Sequence, residues 1–152
     1  MITRRTALGL LAAAPPAAFL ATRARASSPA IYAQEGIAID GTDPVAYFTE
    51  GRPVPGDAAI TSDWNGATWR FSTPENKAAF DADPEAYAPQ YGGYCAWAVA
   101  EGYTASTVPE AWKIVDGKLY LNFSRRIQRR WERDIPGNIV RANGNWPSVL
   151  AQ

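Results

Sequence analysis

Residues 58–87 read AAITSDWNGATWRFSTPENKAAFDADPEAY and contain the strongest fold signals in the chain. Asn65-Gly66 separates two strand-like runs, which is the typical sequence of a β-hairpin turn. Thr73 can cap a helix, and Pro74 suits its first helical position. This stretch therefore predicts a hairpin followed directly by a short helix.

The flanking sequence extends this pattern. Within the first hairpin, alternation places Trp69 and Phe71 on one face of the second strand. The other predicted elements are a helix from about Tyr94 to Glu101, a second hairpin turning at Asp116-Gly117, and a third helix that starts at Ser124 and is broken by Pro136-Gly137. The remaining tail is expected to wrap back through Ile139 and Trp146. The sequence thus predicts a small single α+β domain of two β-hairpins and about three short helices.

The N-terminus has the composition of an export signal. Arg4-Arg5 precedes an alanine-rich apolar run, and Ala24-Arg25-Ala26 forms an A-x-A cleavage site. The apolar run is too short for a comfortable membrane span. The arginine pair favours the twin-arginine route over the Sec route. We expect residues 1–26 to be removed near Ala26 and the mature chain, without a transmembrane segment, to be periplasmic.

Removal of that segment changes the charge balance. The full chain has 15 basic and 15 acidic residues, and cleavage removes four arginines and no acids, so the mature net charge is −4. A nucleic-acid-binding domain is normally basic, so we expect no nucleic-acid partner. The single cysteine also excludes an internal disulfide.

Three segments of the mature chain resemble one family. DGTDPVAYFTEG at 40–51, the block from Trp64 to Val99, and WKIVDGKLYLNF at 112–123 are similar to exported YHS-domain proteins. This resemblance implies a YHS, treble-clef-like fold and an association with heavy-metal handling. On this basis we divide the chain into the export signal 1–26, a flexible lead-in 27–36 and a YHS-like domain 37–152.

Cys95 is the only candidate for thiol chemistry. The mature chain has no histidine and no methionine. A copper or zinc site would therefore combine Cys95 with Asp, Glu or Tyr ligands, which is unusual, or form in a weak homodimer that shares two such thiols. A nucleophilic cysteine would lack its usual histidine base, although the first turn of a helix can lower a thiol pKa. The simplest interpretation is a buried thiol packed as a small apolar group.

Other polar side chains give no catalytic pattern. The carboxylates of Asp40, Asp43, Asp63, Asp81, Asp83 and Glu85 occur at turns and helix ends, where turn chemistry explains them. Gly92-Gly93 favours positive φ angles or a close backbone approach rather than a phosphate loop. We therefore expect no enzymatic activity.

Two surfaces are candidates for binding. If there is a small-ligand site, we expect it where Tyr47, Tyr91, Tyr94, Cys95 and Trp97 converge. The third helix carries Arg125, Arg126, Arg129, Arg130 and Arg133. These arginines either form a solvated face that pairs with the acidic remainder of the domain, or bind anionic lipid or an acidic partner.

We expect a periplasmic, non-catalytic YHS-like module that binds a small ligand or metal ion near Cys95. The alternative is an interaction or accessory module that docks through its aromatic surface or through the arginine-rich helix.

Overall fold

A computed structural model describes residues 26–152 and shows a small α+β domain with two sheets and several short helices. The predicted export signal therefore lies outside the described residues except for Ala26. The strands are β1 (Ala33–Gln34), β2 (Ile37–Ala38), β3 (Asp57–Trp64), β4 (Ala67–Phe71), β5 (Trp112–Val115) and β6 (Lys118–Leu121). The helices are α1 (Ala46–Thr49), α2 (Pro74–Ala82), α3 (Pro84–Tyr87), α4 (Ala96–Ala100), α5 (Arg125–Trp131) and α6 (Ile135–Asn145).

Both predicted hairpins are confirmed. β3 and β4 pair antiparallel around Asn65-Gly66, and β5 and β6 pair around Asp116-Gly117. In β4, Trp69 and Phe71 are fully buried, as the alternation predicts. β2 adds a parallel pairing to β4, so that the first sheet has the order β1-β2-β4-β3.

The segment 27–36, expected as a flexible lead-in, contacts the domain along its length. It contributes β1, which pairs with β2. Ile31 is buried in the core, and the backbone N–H of Tyr32 donates to the carbonyl of Gly92 at 2.8 Å. These contacts attach the segment to the glycine pair that precedes α4.

The helices differ from the prediction in number and extent. The cap at Thr73 is confirmed, since its side chain accepts from the backbone N–H of Asn76 at 3.1 Å. The predicted break at Pro136-Gly137 is confirmed, because α5 ends at Trp131 and Asp134 has non-helical backbone angles. The sequence did not predict that a new helix, α6, begins directly afterwards at Ile135. Pro136 occupies the first turn of α6, where its missing N–H costs nothing, and Asp134 Oδ1 accepts from Gly137 N at 3.0 Å. The tail is thus mostly helical.

Two apolar clusters form the core. The first lies between the four-stranded sheet and α2, and Trp69, Phe71 and Phe80 are its largest members. The second is built around Trp131 and Tyr120, with α4 and α6 packed against each other. Within residues 26–152 no helix is both long and apolar enough to cross a membrane.

Candidate functional site

The five aromatic and thiol side chains expected to converge are divided among three places. Tyr47 belongs to the first core cluster, and Tyr91 and Tyr94 belong to the second. Only Cys95 and Trp97 line a common cavity. The two cores separate Tyr47 from Tyr91 and Tyr94, which share the second cluster, so the expected convergence of the three tyrosines is wrong.

The three tyrosine hydroxyls are occupied by structural hydrogen bonds. Burial raises the pKa of each of these tyrosines, so all three remain protonated donors at neutral pH. Their acceptors are the carbonyl of Pro109 for Tyr47 (2.8 Å), Asn143 Oδ1 for Tyr91 (2.9 Å) and the carbonyl of Pro29 for Tyr94 (2.8 Å). They hold distant segments together rather than line a ligand site.

Cys95 and Trp97 contribute to an apolar groove between α4 and α5. Its volume is about 190 Å³, and we call it the Trp97 groove. Its walls are formed by Cys95, Trp97, Tyr103, Ala105, Phe123 and Ile127. Tyr103 is 49% exposed and Phe123 is 52% exposed, so two large apolar side chains stand at its rim. Such exposure at a concavity is typical of a contact surface.

Local capping sets the geometry of the groove. The Ser124 hydroxyl accepts from the backbone N–H of Ile127 at 3.2 Å and starts α5, which directs Ile127 into the groove. On the other wall, the backbone N–H of Cys95 donates to the carbonyl of Ala105 at 3.0 Å. α4 begins only at Ala96, so the predicted placement of Cys95 inside its first turn is wrong, and Cys95 is the non-helical residue directly before the helix.

Sequence reasoning missed Phe123, although a local signal was present. A residue just before a helix cap usually packs on the fourth helical residue as a hydrophobic staple. Here that fourth residue is Gln128, whose amide donates inward to the carbonyl of Trp112 at 2.8 Å. No apolar partner is available at that position, which leaves the Phe123 ring on the surface.

The thiol of Cys95 lies below the groove surface. Cys95 is 1% exposed, and its Sγ accepts from the backbone N–H of Phe123 at 3.3 Å. Sγ also lies 3.5 Å from Asn122 Oδ1, which accepts the backbone N–H of Trp97 at 3.1 Å. Burial raises the pKa of Cys95, and this outweighs the opposing backbone hydrogen bonds. The thiol is therefore protonated and poorly nucleophilic at neutral pH.

We expect Ellman's reagent to label Cys95 at least about a hundredfold more slowly in the folded protein than in urea, because labelling requires the groove to open. Raising the pH to about 8.5, where a free thiol is about half ionised, is expected to accelerate labelling of the unfolded chain far more than of the native chain. The measurement is the absorbance of released thionitrobenzoate, with Cys95→Ala as the blank. Equal native and unfolded rates would contradict the buried-thiol assignment.

Another concavity, of about 460 Å³, lies at the tip of the β3–β4 hairpin. It is shallow, and it is lined by turn residues and by the adjoining ends of β3 and β4. Its one carboxylate, Asp63, accepts from the Thr68 hydroxyl at 2.8 Å and so supports the hairpin. This concavity brings no reactive side chains together.

About one third of the chain matches a known family. The YHS domain family model matches residues 45–91. The YHS match covers α1, the first hairpin, α2 and α3, and it stops before Cys95. The Trp97 groove therefore lies outside the matched YHS segment. No curated protein and no solved structure matches this chain.

The residues present do not fit the transition metal that the YHS resemblance implies. In the part of the chain from Ala26 to Gln152, no three His, Cys, Asp or Glu side chains lie close enough together to hold an ion. Copper and zinc prefer several thiolate or imidazole ligands, whereas this site offers one protonated thiol. A thiol that is 1% exposed is also poorly placed to meet its counterpart across a homodimer axis.

Proposed function

We propose that this protein is an exported, non-catalytic binding module that holds an apolar group of its partner in the Trp97 groove. The observation that carries the proposal is the combination of a preformed apolar concavity with two half-exposed aromatic rings at its rim, Tyr103 and Phe123. Aromatic side chains are enriched where proteins bind partners.

The size of the groove favours a side chain over a free metabolite. Pockets for drug-sized ligands usually have volumes of about 300–1,000 Å³, whereas the Trp97 groove has about 190 Å³. That volume suits one bulky apolar side chain, which is how anchor residues enter a partner. A protein partner is therefore preferred to the small-ligand and metal hypotheses.

Two properties support a role without catalysis. The thiol in the groove is buried and protonated, and the sequence has no histidine that could act as its base. Export rests on the arginine pair and the A-x-A site at 24–26. Cell fractionation supports export if a chain beginning at Ser27 is found in the periplasm, and an uncleaved cytoplasmic chain argues against it.

Binding of 1-anilinonaphthalene-8-sulfonate tests the groove, since this probe presents a flat apolar ring system. We expect Phe123→Ala and Ala105→Trp to weaken its binding by about fivefold or more, by removing one wall and by filling the space, respectively. Fluorescence titration measures the affinity, and amide shifts in NMR spectra locate the probe.

Val140→Ala is the matched control, because Val140 is 71% exposed on α6 and does not line the groove. It is expected to leave probe affinity unchanged. Unchanged melting temperatures would show that the groove variants remain folded. Probe binding that survives both groove variants, or that causes no shifts at Cys95–Ala98 and Phe123–Ile127, would overturn the proposal.

A further inference from the structure

The arginine-rich segment carries charge that the domain itself does not neutralise. Each of its five arginines is exposed, and within residues 26–152 none lies within salt-bridge distance of a carboxylate. By contrast, Arg52 pairs with Glu50 at 3.0 Å and Arg141 lies 3.9 Å from Asp134. The expected pairing of this segment with the acidic part of the domain is therefore wrong, and its charge remains available to a partner.

One of these arginines contacts a wall of the Trp97 groove, and a second lies on the same stripe of α5. The guanidinium carbon of Arg130 lies 5.5 Å from the centroid of the Trp97 ring, within the range of a cation–π contact. Arg130 follows Ile127 by three residues and Arg126 by four, so Arg126 and Arg130 form the helical stripe next to the groove wall. Arg125 and Arg129 form the next stripe, farther from Ile127.

The apolar side of α5 argues against a membrane surface. A helix that binds a bilayer keeps its apolar face exposed for insertion. Trp131 is 0% exposed in the second core cluster, and Ile127 forms a groove wall. The helix α5 itself therefore has no free apolar face to insert into a bilayer, and the groove beside the arginines is a concavity that can receive an apolar group.

We propose that the partner of the Trp97 groove is an acidic protein segment with one bulky apolar residue, which enters the groove while neighbouring carboxylates pair with Arg126 and Arg130. This inference rests on the proposed function, and it further specifies that the partner is acidic. Charge complementarity of this kind governs encounter rate and specificity. It also implies binding that weakens as salt increases.

A random peptide library displayed on phage tests the inference, followed by fluorescence anisotropy of synthesised winners. We expect selected peptides to combine an aromatic or large aliphatic residue with several Asp or Glu residues. Affinity is expected to fall by about tenfold or more in Arg126→Glu/Arg130→Glu, because two ion pairs become repulsive. It is also expected to fall by about tenfold between about 0.05 M and about 0.5 M salt.

Arg125→Glu/Arg129→Glu is the matched control, with the same charge change on the same helix. It is expected to weaken binding by only about twofold. Equal losses in the two double variants, peptides without acidic residues, or a selection that yields no binders would overturn the inference. Stronger binding to phosphatidylglycerol vesicles than to the peptides, or a salt-dependent dimer in ultracentrifugation, would replace the acidic segment with lipid or with a second copy.

The same variants distinguish the two proposals. If Phe123→Ala abolishes peptide binding and Arg126→Glu/Arg130→Glu does not, the groove function stands and the acidic partner is wrong. If neither variant affects binding, both proposals fail.

Discussion

Replacing Asp43 with alanine is expected to lower the free energy of unfolding by about 3–5 kcal/mol, although Asp43 lies far from the Trp97 groove. Asp43 is 0% exposed, and its carboxylate accepts five hydrogen bonds. Alanine would leave the two buried backbone donors and the three half-buried donors without this acceptor, and each donor that stays unsatisfied carries a desolvation cost.

The five bonds join two separate segments of the chain. Oδ1 accepts from the backbone N–H groups of Val45 (2.9 Å) and Ala46 (3.3 Å), which fixes the start of α1. Oδ2 accepts from the backbone N–H of Ser72 (2.8 Å), its hydroxyl (2.7 Å) and the Asn76 amide (2.8 Å). Asp43 thereby connects α1 to the junction of β4 and α2.

Urea denaturation followed by circular dichroism measures the effect. Asp63→Ala is the matched control, because Asp63 is exposed and makes a side-chain bond to Thr68. We expect Asp63→Ala to lower the free energy of unfolding by no more than about 1 kcal/mol. A loss for Asp43→Ala no larger than for Asp63→Ala would show that the buried carboxylate does not support the fold in this way.

The second large effect is expected for Gly92→Ala, which should lower the free energy of unfolding by about 3–4 kcal/mol. Gly92 has a φ of +61°, and an added Cβ would overlap the carbonyl oxygen of Ala30. Relief of that overlap would displace the lead-in and stretch the bond from the Tyr32 N–H to the Gly92 carbonyl. The expected role of the glycine pair, positive φ and close backbone approach, is confirmed here.

Gly66→Ala separates the steric cost of Gly92→Ala from the cost of its backbone conformation. Gly66 has a φ of +83°, but nothing lies within 4 Å of its added Cβ. Gly66→Ala is therefore expected to lower the free energy of unfolding by only about 1 kcal/mol, because the left-handed backbone conformation is its only cost. Thermal denaturation of the two variants gives the comparison. Equal destabilisation would mean that the contact with Ala30 adds nothing.

Several features of this fold could be predicted from short stretches of sequence. Asn65-Gly66 and Asp116-Gly117 specify their hairpins because they tolerate the positive φ angles that such turns require. Thr73 starts α2 through a hydrogen bond that spans only three residues. The start of α6 was equally local, since Asp134 and Pro136 are cap and first-turn residues, but the proline was interpreted only as a helix breaker.

The sequence by itself determined the hairpins and the α+β class, because local backbone preferences and side-chain polarity decide these features, whereas it left Cys95 either buried or reactive. Only the tertiary structure determined which side chains meet. It separated Tyr47 from Tyr91 by assigning them to different cores, and it brought Trp97 against Phe123 and Arg130. Such contacts depend on how helices pack across long intervals of chain, and neither turn propensity nor hydrophobic periodicity encodes that packing.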